Sequence, residues 1–245
     1  MKDDGQASKT VVRDSGDVTP AAAQRIEQIV HQAAKLFDKV GYHAANMEMV
    51  AKATGFRKPT LYHYVSSKEE ILFRIHHWLI DSLNEQHRAR VAQGQTREEL
   101  LYGLCKDILH FIAENRGFVT AFFEHNRELN EEMRKEVRQE RSALFAIFTD
   151  LIADGVKAGD YHTHEVTLSA LLLLGQCNWA YQWYRPGLNP PPEIMARIIL
   201  DTFLYGIAGK KPAGAGTVTR SSDAGGITAK RSSKAAENTK TKARR

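Results

Sequence analysis

The stretch VAKATGFRKPTLYHYVSSKEEIL, residues 50–72, decides how the rest of the chain is read. Met47, Val50, Ala51 and Thr54 mark a short helix that Asn46 can cap and Gly55 can close. Arg57, Lys58, Pro59 and Thr60 then crowd into one bend, and a second short helix follows. Pro59 is tolerable only in the first turn of that helix, and Leu61 and Val65 form its inward face. Tyr62 and Tyr64 are two apart and cannot share a helix face; Tyr64 is the one expected in the core. Two short helices joined around a glycine, preceded by a packing helix, outline a helix-turn-helix reader of DNA. In such a unit the N-terminal part of the second helix enters the major groove while flanking residues grip phosphate.

The residue types suit that work. Arg57 and Lys58 bring positive charge to a helix end whose dipole already favours an anion. Thr60 is short enough for close approach and can bond a base edge or touch a thymine methyl. Tyr62 and His63 offer a hydroxyl and a ring nitrogen, and Lys68, opening the next helix, is expected to point back to the same surface. Lys52, Glu69 and Glu70 read as ordinary solvated residues.

Outward from this bend the chain reads as helix after helix. Ile26, Ile29, Val30, Ala33, Phe37 and Val40 recur at three- and four-residue spacings until Gly41. Ser66 or Ser67 caps a long helix through Ile71, Leu72, Ile75, Trp78, Leu79 and Leu83. Thr96-Arg97-Glu98-Glu99 has the form of a capping box, opening a helix through Leu104 and Phe111 that Gly117 is expected to break. Short and long helices follow over Val119–Glu124 and about 131–157. Another begins at Thr163 and is apolar almost all round from Leu168 to Trp183, the pattern of a helix buried in a core or in a subunit contact. Pro186 and Pro190–Pro192 separate it from a last helix through Ile194, Ile198, Phe203 and Ile207. No alternating strand pattern competes, so the fold class is all-α with about nine helices.

Of 245 residues 42% are hydrophobic and 26% charged, the balance of a packed soluble core. The net charge of +5 is unevenly placed. Residues 209–245 hold ten Lys/Arg against two Asp/Glu, residues 21–70 seven against five, and residues 71–208 fourteen against eighteen. A polyanion-binding end on a mildly acidic body follows. The expected organisation is a flexible arm over 1–20, a DNA-binding unit over 21–67, a helical body over 68–208 and a disordered basic tail over 209–245. With no membrane-length apolar run, no secretory leader and only Cys105 and Cys177, the expected setting is the reducing cytoplasm, away from membranes.

The letters A-x-x-x-F-x-x-x-G-Y…M-x-x-V-A-x-x-x-G-x-x-K-x-T-L-Y-x-Y-V-x-S-K-E-E-I-L, spread over about residues 22–72, resemble the N-terminal domain of the TetR/AcrR family of bacterial transcriptional regulators. The resemblance implies a homodimer on a double-stranded DNA operator, each subunit with a three-helix DNA-binding head and a larger helical ligand-binding body. By position it makes Thr60, Tyr62, His63 and Lys68 DNA contacts, with Lys58 beside them. The place of Arg57 is usually a small N-cap such as Ser or Thr; a capping bond is given up here, and the longer side chain is left to reach a base or a phosphate.

Residues 171–207, with their N-W-x-Y-x-W-Y-R-P segment, resemble the last two helices of a TetR subgroup that responds to CoA thioesters in fatty-acid and steroid-ring breakdown. In the family these helices commonly build a four-helix dimer interface, which here would use Ile194, Ile198, Phe203 and Ile207. Trp179 and Trp183 stack on one helix face and can either receive an adenine or acyl group, with Arg185 on a phosphate or carboxylate, or fill a core or interface. Phe111, Phe122 and Phe148 likewise line an effector cavity or simply fill space between helices.

Nothing points to catalysis. There is no G-x-S-x-G elbow, P-loop or G-x-G-x-x-G after a strand, and no carboxylate pair is singled out by spacing. Adjacent His76 and His77 diverge by about 100° on a helix, and neither they nor His162 and His164 complete a four-ligand metal set. A ligand-gated DNA-binding repressor needing no cofactor is the reading this favours. An effector-free regulator or activator comes next, and a helical CoA-dependent enzyme is a distant third.

Overall fold

A computed structural model describes residues Thr19–Tyr205. Most of the expected arm, Ile207 and the basic tail lie outside the described residues. Among the described residues there are nine α-helices, one 3₁₀ turn and no strand.

Local chemistry sets most of the boundaries. Helix α1 (Pro20–Val40) opens with Pro20 in its first turn and the Thr19 hydroxyl accepting from the Ala22 amide. It buries Ile29, Val30, Ala33, Ala34 and Phe37 along one stripe. Helix α2 (Met47–Thr54) is capped by Asn46, whose Oδ1 accepts from the Met49 amide at 3.0 Å. It ends at Gly55, left-handed with φ 74°, a conformation that would strain any side chain. Helix α3 (Lys58–Tyr64) follows after a short turn. Helix α4 (Lys68–Ala92) takes Ser67 as its cap, and Glu70 reaches back to the Ser66 amide at 2.7 Å and hydroxyl at 2.6 Å. Glu70 is thus part of the cap and bonded to Arg74, against the solvated role expected of it.

Helix α5 (Arg97–Glu114) carries the predicted capping box, with Thr96 and Glu99 bonding reciprocally. Helix α6 (Arg116–Glu124) starts before Gly117, so that glycine does not break the chain as expected. A Cβ there would lie 2.3 Å from the Ala34 carbonyl oxygen, and its absence lets α6 lie against α1. The 3₁₀ turn Asn126–Glu128 leads into α7 (Glu131–Ala158). Helix α8 (Val166–Trp183) starts later than Thr163, because the Glu165 carboxylate takes the Thr167 and Leu168 amides and is the actual cap. Helix α9 (Pro192–Tyr205) closes the described chain.

Helix α5 is the body's central element, packed by α4, α6, α7, α8 and α9, while α1 lies on α2, α4 and α6. One apolar cluster runs through both parts, from Ile29 and Phe37 through Ile71 and Ile75 to Phe148, Leu173 and Leu200. The buried ion pair of Arg90 with Asp107 ties the end of α4 to α5, and the missing side chain of Gly103 leaves room for it. Helix α8 buries only Ala170, Leu173, Cys177 and Ala180 within the protomer. Its opposite face, Leu168, Leu171, Leu172, Trp179 and Trp183, is exposed, as are Ile194 and Ile198 of α9. Among the described residues no helix is long and apolar enough to cross a membrane.

Candidate nucleic-acid interface and body cavities

Short α3 has one fully buried residue, Leu61, which with Val65 seats it on α1 and α2. Thr54 turns inward, its hydroxyl donating to the Val50 and Ala51 carbonyls at 3.0 Å each. Tyr64 is half-buried, stacked on Phe56 with ring centroids 6.0 Å apart, and Arg25 lies over the Phe56 ring. What remains is displayed: Arg57, Lys58, Thr60, Tyr62 and His63 are all exposed. Arg57 is the N-cap residue, makes no side-chain cap bond, and its guanidinium has no hydrogen-bond or ion-pair partner among the described residues.

Lys68 differs from its expected placement. Its ammonium donates to the Tyr42 carbonyl at 2.7 Å and the Ala45 carbonyl at 3.0 Å, and sits 4.3 Å from the centre of the Tyr42 ring. Burial pulls its pKa down, with Glu128 opposing. Two of its three donors are committed inside the protein, so Lys68 is a staple between α4 and the α1–α2 loop.

That staple belongs to a junction that the sequence did not reveal. The Tyr42 ring stacks on His125 at 5.0 Å, His43 lies 3.5 Å from the Glu128 carboxylate, and Glu69 accepts the Asn130 amide. Glu69 is therefore structural as well. Residues 41–46, the first turn of α4 and the segment 125–130 meet here. Burial raises the Tyr42 hydroxyl to about 12 and lowers His125. The residues come from three separate parts of the chain, so no local pattern could have paired them.

Among the described residues, two cavities in the body stand out. One of about 720 Å³ lies between the start of α5 and the ends of α7 and α9, walled by Arg97, Asp160, Tyr161, Ser169, Phe203 and Tyr205 among others. The other, about 390 Å³, is lined by Asn126, Glu131, Arg134, Val137, Arg138 and Arg141. None of the six residues considered for effector binding lines either. Phe148 is fully buried, and Phe111 and Phe122 are buried in the same core. Trp179 and Trp183 are 64% and 43% exposed on the outer face of α8. The Arg185 guanidinium is turned onto the Tyr184 carbonyl at 2.8 Å, and its amide donates to Asn189. The tryptophans are therefore uncovered, as are Ile194 and Ile198, while Phe203 is half-buried at the first cavity.

His76 on α4 is fully enclosed, its ring 4.9 Å from Phe122 and its Nδ1 3.4 Å from Arg141. Burial, with Arg141 adding to it, pushes its pKa down to about 3, so the ring is neutral at physiological pH.

Comparison with known proteins agrees with this geometry. The family model described as "Bacterial regulatory proteins, tetR family" matches residues 29–75, and "Tetracyclin repressor-like, C-terminal domain" matches residues 94–207. The "HTH-type transcriptional repressor KstR2" of Rhodococcus jostii is 26% identical over 194 residues, covering 78% of this chain and 95% of its own. The TetR family transcriptional regulator PfmR from Thermus thermophilus superposes with a TM-score of 0.68 at 28% identity, over 74% of this chain and 99% of that one. A structure of AibR in complex with isovaleryl coenzyme A and operator DNA superposes with a TM-score of 0.65 over 74% of this chain and 98% of its own; at 23% identity that likeness is one of fold. With a matching head model, a matching body model and an exposed, cationic α3 between α2 and α4, the chain belongs to the TetR family of transcriptional regulators.

Proposed function

We propose that the protein is a homodimeric, cytoplasmic repressor that binds a palindromic operator and is released by an acyl-CoA thioester. The observation that carries this is the presence in one chain of two uncovered surfaces of opposite chemistry. The exposed donors of α3 suit a major groove, and the apolar α8–α9 face suits a second copy of itself. Gly175 supports the second half. It sits in the middle of α8, no atom beyond its own stretch of helix lies within 4 Å of where its Cβ would be, and glycine inside a helix costs about 1 kcal/mol relative to alanine. A closely approaching partner helix accounts for it. Ile194 and Ile198 extend that surface, as do Trp179 and Trp183.

Dimerisation places two α3 helices on successive major-groove faces, about 34–36 Å apart, and an effector that favours another subunit arrangement spoils that spacing. A ~30-fold loss of operator affinity requires about 2 kcal/mol of coupling, within the usual range. The repressor role is supported by the name of the R. jostii relative, and the thioester by the isovaleryl coenzyme A bound to AibR. The compact packing of Phe111, Phe122 and Phe148 favours one second reading, a regulator without an effector. Sedimentation of the purified chain, together with binding to the DNA upstream of its own gene against unrelated DNA, tests the dimer and the operator. A monomer, or equal affinity for both DNAs, would remove the proposal's foundation.

A further inference from the structure

The cleft at the start of α7 holds more positive charge than folding explains. Arg134, Arg138 and Arg141 recur at four- and three-residue spacings and so stack along one helix face, where with Asn126, Val137 and Glu131 they enclose about 390 Å³. That volume lies in the range of small-molecule sites. Three guanidinium groups face one carboxylate. Glu131 is 80% exposed, and its oxygens reach Arg134 and Arg138 only at 3.8 Å each, so it guards the mouth without neutralising the interior. Deeper in, the Arg141 Nη2 donates to the Phe122 carbonyl at 2.7 Å and the group lies 3.9 Å from the centre of the Phe122 ring. The Nε–H groups of Arg134 and Arg141 are buried, and neither they nor the Asn126 Oδ1 has a partner among the described residues. His76 beside Arg141 is neutral, and Glu140, which does not line the cleft, bonds His77 through Oε1 while its Oε2 is buried without a partner among the described residues. Buried donors of charged groups without acceptors are costly, and forked guanidinium donors match the oxygens of a phosphate.

We propose that this cleft binds the phosphate group of a small-molecule effector on Arg134, Arg138 and Arg141, and that its occupancy is relayed to the DNA-binding head through the segment 125–130. A phosphate monoester, near a charge of about −2, matches three guanidinium groups less one carboxylate; a lone carboxylate leaves one charge over. The relay is built into the same residues. Asn126 lines the cleft, and the Arg134 Nη2 donates to the Leu129 carbonyl at 2.9 Å. On its other side this segment stacks His125 on Tyr42, places Glu128 at His43 and ties Asn130 to Glu69. A phosphate that draws Arg134 away from Leu129 loosens the seat of the α1–α2 loop and of α4.

The inference rests on the effector-gated reading, and its test separates the two. Calorimetric titration of the full-length protein with adenosine 3′,5′-bisphosphate and with coenzyme A is compared with that of Arg134→Gln and Arg138→Gln, which leave Arg141 and the core intact. Arg97→Gln, at the other cavity, is the control. Either cleft substitution is expected to weaken both ligands about tenfold, the worth of one charge-assisted contact, and the control to change neither. Saturating coenzyme A is expected to lower wild-type operator affinity at least about fivefold, and to lose that effect in Arg138→Gln. Equal binding by wild type and both cleft variants overturns the site, as does no binding of either ligand at millimolar concentration. Normal release of operator by a thioester from both cleft variants leaves the effector reading standing and this site refuted. Cleft-dependent binding with no thioester able to release DNA upholds the site and sinks the thioester. Binding without any change in operator affinity overturns the relay.

Discussion

At the residue scale the proposed DNA contact of Arg57 would come at the expense of the fold. That residue occupies an N-cap where Ser or Thr would bond the backbone, and it makes no such bond. Arg57→Ser is expected to stabilise the protein by about 0.5–1 kcal/mol while removing one phosphate contact, lowering the slope of log affinity against log salt by about 0.9. Thermal melts and a salt series check both signs; a loss of stability would contradict the account of the cap. Thr60→Ala is expected to cost operator binding about 1–3 kcal/mol with sequence preference relaxed at one base pair, whereas an unchanged preference would remove Thr60 from base readout. His76 sets a pH dependence. Its folded pKa of about 3 lies below the ordinary 6.5, so the unfolded chain binds the proton first as pH falls. The stability tied to the neutral ring is complete above pH 6.5 and drains away between 6.5 and about 3. His76→Leu should therefore flatten the fall in melting temperature over that window, and an unaltered pH profile would count against it. The place of Arg57 at the head of α3 was legible because a strong motif frames it. Lys68 was not, because a lysine opening a helix near a DNA-binding bend looks the same whether its ammonium turns outward or onto the carbonyls of Tyr42 and Ala45.

At the scale of elements, capping chemistry made most helices readable. Asn46, Gly55, the Thr96–Glu99 box and the glycine after α1 all act as their types predict. Two of the misreadings have a common cause, a residue whose purpose lies in another element. Gly117 serves the approach of α6 to α1, and Glu69 holds the start of α7. Helix α8 is the informative case. Its sequence has no polar face, which signals coverage on all sides, but the protomer covers only Ala170, Leu173, Cys177 and Ala180. Trp179→Glu puts a charge into the uncovered stripe, and sedimentation is expected to show a monomer at micromolar concentration with operator affinity reduced at least about 30-fold. A dimer persisting with unchanged affinity would mean that another surface holds the subunits. Lys68→Met, which strands two carbonyls, is expected to cost about 2–3 kcal/mol, lowering the melting temperature by about 4–10 °C.

At the scale of the whole molecule, the head was legible almost letter by letter and the proposed effector cleft was not. A DNA reader of this kind uses consecutive residues on one short helix, so its chemistry is written locally. The cleft of Arg134, Arg138 and Arg141 is also on one helix, yet a run of arginines on a long polar face looks like solvated surface until Asn126 and Phe122 are placed against it. The basic segment 209–245, outside the described residues, is expected to add sequence-independent affinity; deleting residues 210–245 should weaken binding to all DNA and reduce its salt dependence, with specificity kept. Release of a dimer from its operator by an acyl-CoA thioester is the step proposed here. Fluorescence anisotropy of labelled upstream DNA, titrated with protein at fixed salt with and without a panel of acyl-CoA thioesters, tests it most directly. Tight, sequence-specific binding weakened about 30-fold by at least one thioester is expected, with free coenzyme A giving a smaller effect. Specific binding indifferent to every thioester would contradict it.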